Sequence, residues 1–301
     1  MAVQQLARAH VSMTNKQSEP ESPTLSVAEW RTHCVEIGEC AMAIFSTADV
    51  KITPKGFADP SFLALTLLAR TASNLKAALV LLDAKQIVEA RTITRCCLEN
   101  LYWVIGVAED GDKFVKRMRD DELSHRRAIG QAIFAGDYAL DHQVEQRLRH
   151  QMRDLNRESP VTKTLNPKSV AGIRDDFKRT YIFYSQLSSD SAHPSVSALN
   201  RYVVSRNHPD GPGFDTDPLV RPTEIEETFE YLSMAALGVC VAVNQIIGGT
   251  SGGQRRNAAA ERHTALSHRS RTGRDAGKPD SGDVSRPPLE LSDPHQSETD
   301  D

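Results

Sequence analysis

Apolar residues recur at spacings of three and four along most of the chain, which is the pattern of one face of an α-helix. The clearest stripe lies in a predicted helix over residues 61–82 and consists of Phe62, Leu65, Leu68, Leu75, Leu79 and Leu82. Clean alternation of apolar and polar residues, which would indicate a strand, is not found. The pattern therefore predicts an all-α fold, a helical bundle of about seven helices.

Charge distinguishes the outer helices of this bundle from the inner ones. Residues 113–134 and 137–157 contain many charged residues and few apolar ones, so they predict two peripheral helices that form a hairpin. The last helix, over residues 223–247, begins with an acidic turn that suits the positive end of a helix dipole. Gly248 and Gly249 then predict its end.

The two ends of the chain differ from its middle in composition. Residues 1–24 are rich in Gln, Asn, Glu and Pro, so we predict a disordered leader. Large apolar residues become rare again in residues 251–301, which predicts a disordered tail. Its charge is basic and then acidic, with six Arg against one Glu over residues 255–274 and eight acids against two bases over residues 275–301. Residues 25–250 remain as a single α-helical domain.

Net charge and cysteine content limit the classes of function. A formal net charge of −4 gives no general reason to expect nucleic acid, although the basic block of the tail could attract RNA or an acidic protein face. Five cysteines without C-x-x-C spacing indicate reduced core thiols and a cytoplasmic protein. The most apolar stretch, residues 231–247, is shorter than a membrane span and contains polar residues, so we predict a core helix and no membrane association.

Three charged residues lie four apart on the third predicted helix. Arg91, Arg95 and Glu99 should share one face, next to an apolar stripe. A partly buried arginine must be paired, so one interpretation is an internal ion pair that sets helix register. The other is a polar pocket in which Arg95 and Glu99 are site residues and the guanidinium holds a phosphate or carboxylate.

Hydroxyl groups and one imidazole crowd the break between two later predicted helices. They belong to Tyr181, Tyr184, Ser185, Ser188, Ser189, Asp190 and His193. The serines are typical helix caps, and His193 then needs no role beyond its turn. Alternatively, His193 is a catalytic acid or base near neutral pH, beside helix N–H groups that suit an anion.

The sequence EARTITRCCLEN, followed later by YSQLSSDSAHPS, resembles a bacterial all-helical family of uncharacterised proteins, the domain of unknown function 5677. The resemblance covers roughly residues 62–193. It implies an all-helical fold, and it implies no particular activity. Its family-like positions are Glu89, Arg95, Glu99, Ser188 and His193.

A weaker resemblance is to the HEPN ribonucleases, whose signature is an Arg followed after four to six residues by a His. Arg119 and His125 match that spacing and would be catalytic residues if the resemblance holds. Six residues along a helix, however, set two side chains about 120° apart. One straight helix would therefore not direct both side chains at one phosphate.

A third hypothesis is a metal site, because Glu122 with His125 and Asp190 with His193 place a carboxylate and an imidazole three residues apart, as in di-iron bundles. The sequence contains no P-loop, dinucleotide fingerprint or nucleophile elbow. We therefore predict a binding or regulatory module without a cofactor. A HEPN-like metal-independent ribonuclease in a bacterial defence or toxin system is the alternative, and a metal-binding bundle is the second alternative. The sequence does not decide whether the partner is a protein or RNA. A homodimer is a further expectation.

Overall fold

A computed structural model describes residues 25–136, 138–158, 164–204 and 213–276. Within these ranges the helices are α1 Leu25–Thr47, α2 Pro60–Asp83, α3 Ile87–Asp110, α4 Asp112–Ala135, α5 His142–Glu158, α6 Pro167–Ala171, α7 Asp175–Lys178, α8 Thr180–Leu187, α9 Val196–Leu199, α10 Pro222–Ile246 and α11 Arg256–Ala276. A π-helical turn over Ser188–Ala192 follows α8, and 3-10 turns cover Gly56–Ala58, Asn200–Tyr202 and Ser251–Arg255. The two short strands, β1 Val203–Val204 and β2 Gly213–Phe214, pair antiparallel with Val203 opposite Phe214. The prediction of an all-α fold is confirmed.

The hydrophobic core lies where α10 packs against α1, α2 and α3. Its largest fully buried apolar side chains include Trp30, Tyr102 and Leu232. Helices α3 and α10 approach closely at Gly238, where an added Cβ would lie 2.7 Å from Leu101 Cδ1. A side chain larger than hydrogen at this position would therefore have to displace the Leu101 side chain.

Local signals explain how α2 begins and ends. The Asp59 side chain accepts a hydrogen bond from the backbone N–H of Ser61 at 2.9 Å, and Pro60 occupies the first turn, where its missing N–H costs nothing. At the other end, Lys85 adopts a positive φ of 60°, and the N–H of Gln86 donates to the carbonyl of Leu81 at 2.8 Å. The chain therefore turns sharply there, and α2 and α3 are two separate helices.

Helices α4 and α5 form the predicted peripheral hairpin. Phe114 is fully buried and anchors the start of α4 to the core. Further along, an added Cβ at Gly130 of α4 would lie 2.3 Å from Met152 Sδ of α5, so the two helices are in close contact. The side chains of α5 are exposed or half-buried, as its charged sequence predicts.

The prediction of a disordered tail from residue 251 is wrong for residues 251–276. An added Cβ at Gly252 would lie 2.3 Å from the backbone carbonyl carbon of Ala43, so glycine allows this segment to pack directly on α1. Leu266 of α11 is buried, and the Trp30 indole N–H donates to Ser270 Oγ at 3.1 Å. The helical domain therefore extends beyond residue 250. The predicted leader over residues 1–24 and the acidic end of the tail lie outside the described residues.

Two helices, α2 and residues 223–246 of α10, are long and apolar enough to cross a membrane by length and composition. They differ in burial. Of the 18 most apolar consecutive residues in each helix, 61% are buried in α10 but only 33% in α2. For α10 this is the burial expected of a core helix, as its sequence predicts. On α2, by contrast, Ala69, Ala77 and Val80 are exposed, and the other apolar side chains are buried or half-buried.

Candidate functional site

A row of charged side chains on α3 faces α8 and the turn that follows it. Arg91, Arg95 and Glu99 lie four residues apart, so they share one side of the helix. The turn over Ser188–Ala192 is π-helical, a rare local geometry that is often found at functional sites. Together with their partners, these side chains form a polar cluster that has two halves.

The inner half of the polar cluster, which we call the closed half, is built around Arg91 and Asp190. Arg91 is fully buried, and its Nε and Nη2 donate to Asp190 Oδ2 at 3.1 and 2.8 Å. Its Nη1 donates to Thr228 Oγ1 at 3.4 Å and lies 3.8 Å from Glu227 Oε2. The buried guanidinium is therefore paired with carboxylates from two other elements, as a buried charge requires.

The closed half continues to Glu224, which is fully buried near the start of α10. Arg201 donates to Glu224 through Nη1 and Nη2 at 2.9 and 2.6 Å, and its Nε donates to Asp190 Oδ1 at 3.2 Å. The backbone N–H and Nη2 of Arg221 donate to Glu224 at 2.9 and 2.7 Å. Burial raises the pKa of Glu224, but the hydrogen bonds from Arg201 and Arg221 outweigh it and hold the pKa at about 2. Three arginines thus face three carboxylates, and the charges of the closed half balance.

The outer half of the polar cluster, which we call the open half, consists of Arg95, Glu99, Tyr184 and Ser188. Arg95 donates through Nε to Ser188 Oγ at 2.7 Å and through Nη2 to the Tyr184 hydroxyl at 2.6 Å. The Tyr184 hydroxyl donates to Glu99 Oε1 at 3.0 Å, and Arg95 Nη2 lies 3.5 Å from the same oxygen. Burial and the nearby charge of Glu99 raise the pKa of Tyr184 to about 12, so the hydroxyl keeps its proton at neutral pH.

The open half differs in solvent access from Arg91 and Glu224, the fully buried centre of the closed half, whereas Arg221 at the edge of the closed half is 64% exposed. The Arg95 and Glu99 side chains are 20% and 28% exposed. The Arg95 guanidinium also lies 4.8 Å above the Tyr184 ring, a cation–π contact that fixes its plane. Among the described residues, Arg95 Nη1 has no hydrogen-bond partner. Its two N–H groups can therefore donate to an external acceptor, such as a phosphate or carboxylate oxygen.

A comparison with known families gives this geometry a context. The model of a family described as being of unknown function, DUF5677, matches residues 61–212, just over half of the chain. The chain belongs to the DUF5677 family. No curated protein and no solved structure matches it. The matched range contains all of the open half, together with Arg91, Asp190 and Arg201 of the closed half. The remaining partners lie on or next to α10, outside the match.

His193 lies directly beside the open half of this DUF5677 protein. It ends the π-helical turn, where its backbone N–H donates to the carbonyl of Ser188 at 2.9 Å, and its residue surface is exposed. The next helix, α9, begins after Ser195, whose side chain caps it. Glu89, another family-like position, is exposed and lies about 160° around α3 from Arg91, outside the polar cluster.

The HEPN-like pair does not form one site in the DUF5677 protein. Arg119 forms an ion pair with Glu158 of α5, whereas His125 Nε2 lies 3.7 Å from Asp121 Oδ2 on the preceding turn of α4. Both side chains are well exposed. Each is thus directed to a different carboxylate, as their spacing along one helix predicts.

The structure gives no support to a metal site in the part of the chain that it describes, where no group of three or more His, Cys, Asp or Glu is placed to hold an ion. Both oxygens of Asp190 already accept from arginines, so they are not available as metal ligands beside His193. Glu122 is likewise paired, with Arg126 one turn further along α4.

Five residues of the site could not be assigned to it from the sequence, namely Arg201, Arg221, Glu224, Glu227 and Thr228. One usable signal was present at the start of α10, where Glu224 and Glu227 lie three residues apart on one side of a helix that continues as an apolar stretch. For Arg201 there was no local signal, because its partner Glu224 is 23 residues away across an irregular loop.

Proposed function

We propose that this DUF5677 protein is a binding or regulatory module whose open half captures an anionic group, a phosphate or a carboxylate, on its ligand. The observation that supports this function is the state of Arg95. Its guanidinium is held by Ser188, Tyr184 and Glu99, yet Nη1 still has unused donors and the side chain is partly exposed.

A rigid guanidinium is well suited to this task. Binding usually costs the side-chain entropy of the groups that must be ordered, and at Arg95 the existing contacts have already ordered it. Arginine also offers donors in a planar fork that matches phosphate and carboxylate oxygens. Glu99 limits the affinity, because its carboxylate lies 3.5 Å from Arg95 Nη2 and repels an incoming anion. The site should therefore bind an anion modestly and become stronger when Glu99 is neutral.

Titration of the full chain with inorganic phosphate and with acetate, followed by isothermal calorimetry or amide chemical shifts, tests the proposal. We expect saturable binding that becomes about tenfold weaker in Arg95→Gln and a few-fold tighter in Glu99→Gln. Arg126→Gln is the matched control, because Arg126 is an exposed, paired arginine on α4. Equal affinity in the wild type and Arg95→Gln, or no binding of either anion, would refute the proposal. The ratio of the two affinities indicates which anion the ligand carries.

The second candidate is a HEPN-like metal-independent ribonuclease, and the observation that favours it is that the exposed His193 follows the turn whose Ser188 holds Arg95. In this candidate function the imidazole of His193 would act as the acid or base on an RNA whose phosphate charge is held by Arg95. RNA incubated with the protein and EDTA should then be cleaved, and His193→Ala should abolish cleavage. If His125→Ala or Arg119→Ala abolished it instead, the α4 pair would be the site. Intact RNA in every reaction would leave the binding function alone.

A further inference from the structure

Helices α1 and α2 present an apolar face to solvent on the side of the molecule away from α10. On α1, Val35, Met42 and Phe45 are 38%, 56% and 46% exposed and lie on one side of the helix. On α2, Ala69 is exposed, and Val80 is 61% exposed. We call this surface the outer α1–α2 face. Large exposed apolar residues scattered singly are common, but a continuous face over two neighbouring helices is typical of an interface.

The two helices of this face lie side by side and run antiparallel. Arg31 of α1 donates to both oxygens of Asp83 of α2 at 2.7 and 2.8 Å, at one end of the pair. Nearer the middle, an added Cβ at Gly38 would be 3.6 Å from Leu75 Cδ2, so α1 and α2 are in close contact there. The two helices therefore form the face together, with the half-exposed Arg31–Asp83 ion pair at one end.

Small residues line the exposed side of α2, at positions that favour close approach of another helix. Ala69, Ser73 and Ala77 are all exposed and lie four residues apart. In helix packing, small side chains at this spacing let two helix backbones approach closely. Large apolar side chains on α1 next to small ones on α2 give a surface that is complementary to a second copy of itself.

The size of the face fits a dimer interface. Helix α2 has 24 residues, which corresponds to a length of about 36 Å. Two helices side by side are about 20 Å wide, so the side of the helix pair that carries the face, charged residues included, measures roughly 700 Å² on each copy. Stable protein interfaces bury about 800 Å² per partner. A surface of this area is therefore large enough for a specific complex.

Charge placement favours a second copy of the chain over another occupant. Glu39 of α1 and Lys76 of α2 are exposed, and among the described residues neither has an ion-pair partner. Because Gly38 lies beside Leu75, Glu39 and Lys76 are level with each other to within about one helical turn. A two-fold axis parallel to the helices would place α1 of one copy over α2 of the other. Glu39 of each copy would then face Lys76 of the other, giving two equivalent ion pairs.

We infer that the outer α1–α2 face is the two-fold interface of a homodimer. This inference is independent of the proposed anion site, because the polar cluster lies on the α8 side of α3. In such a dimer the apolar surface of α2 that the single chain leaves uncovered is buried against α1 of the second copy.

Sedimentation velocity of the full chain over a concentration series tests the inference. We expect a species of twice the 33.2 kDa chain mass that dissociates on dilution. Met42→Glu should convert it to monomer, because a charge would be buried in the interface. Val144→Glu is the control, since Val144 is 49% exposed on α5, outside the face. Unchanged circular dichroism would show that both variants fold.

A charge reversal distinguishes this arrangement from other dimers. Glu39→Lys and Lys76→Glu should each weaken association by about tenfold, and the double variant should restore it to near the wild-type value. A monomer at all concentrations would overturn the inference, as would a dimer that Met42→Glu leaves intact. Two further results would also overturn it, by assigning the face to another occupant. One is a monomer that dimerises only after removal of residues 1–24, and the other is a monomer that sediments with anionic phospholipid vesicles through this face.

Discussion

The two halves of the polar cluster use the same kinds of side chain for different purposes. In the closed half, Arg91 and Glu224 are fully buried and each is paired with an opposite charge, and only Arg221 at its edge is well exposed. In the open half, Arg95 is equally well fixed but partly exposed, and Nη1 remains unused. The difference teaches that the position of a charge on one helix face does not decide its role. Its role is decided by how many of its donors the fold leaves unsatisfied and by whether those donors are accessible to solvent.

Removal of Arg91 should have the largest effect on stability. Arg91→Met removes one of the two arginine partners of Asp190 and also removes the ion pair with Glu227. Both carboxylates are largely buried, so we expect a loss of about 3–5 kcal/mol in the free energy of unfolding. Urea denaturation followed by circular dichroism measures it. Arg91→Lys, which keeps the charge but not the planar fork, should lose less. A loss below about 1 kcal/mol in Arg91→Met would show that the closed half is not structural.

Acid should weaken the closed half through Glu224. Its pKa of about 2 in the folded protein lies below the ordinary value of 4.5, so its contribution to stability is present above pH 4.5 and is lost as the pH falls towards 2. The contribution at neutral pH is roughly 3 kcal/mol. Unfolding free energies of the wild type and Glu224→Gln should converge across this window. If the two curves stayed parallel, Glu224 would not be held by its arginines.

Substitution of Arg95 should cost much less stability than substitution of Arg91. Arg95→Gln removes hydrogen bonds to Ser188 and Tyr184 at a partly exposed position, so we expect a loss of about 1 kcal/mol in the free energy of unfolding, together with about tenfold weaker binding of phosphate and acetate. The pair of urea curves and titrations for the Arg91 and Arg95 variants compares the two halves directly. A larger stability loss in Arg95→Gln than in Arg91→Met would reverse the comparison.

His193 should contribute least to stability, because it is exposed. His193→Ala should change the free energy of unfolding by less than about 0.5 kcal/mol. Thermal and urea unfolding provide the measurement, with the cleavage assay run on the same preparation. A large destabilisation would assign His193 a structural role and would make a loss of activity in this variant uninformative.

The sequence was sufficient for features that depend on local periodicity. The apolar stripe of α2, the charged hairpin of α4 and α5, and the shared face of Arg91, Arg95 and Glu99 all follow from spacing along one helix, and the structure contains each of them. The resemblance to the DUF5677 family rested on short stretches of α3 and of α8 with its following turn, and the family model matches across them.

Features that depend on tertiary contacts were not predictable in the same way. Arg201 meets Asp190 and Glu224 only because the chain returns to the start of α10, and no periodic pattern encodes that return. Residues 251–276 were predicted as disordered because large apolar residues are rare there. At Gly252, however, the missing side chain is what allows packing against α1. Low hydrophobicity therefore indicated disorder in a segment that is in fact held in place by a close backbone contact with α1.

The most direct test of the central claim observes the arginines of both halves at once. The ¹H–¹⁵N spectra of arginine Nε groups should be recorded on the full chain while inorganic phosphate is added, with Arg91, Arg95 and Arg201 assigned by substitution. We predict that the Arg95 resonance shifts saturably and that those of the fully buried Arg91 and of Arg201 do not. Shifts of equal size at all three arginines, or no shift at Arg95, would contradict the distinction between an open half that binds and a closed half that supports the fold.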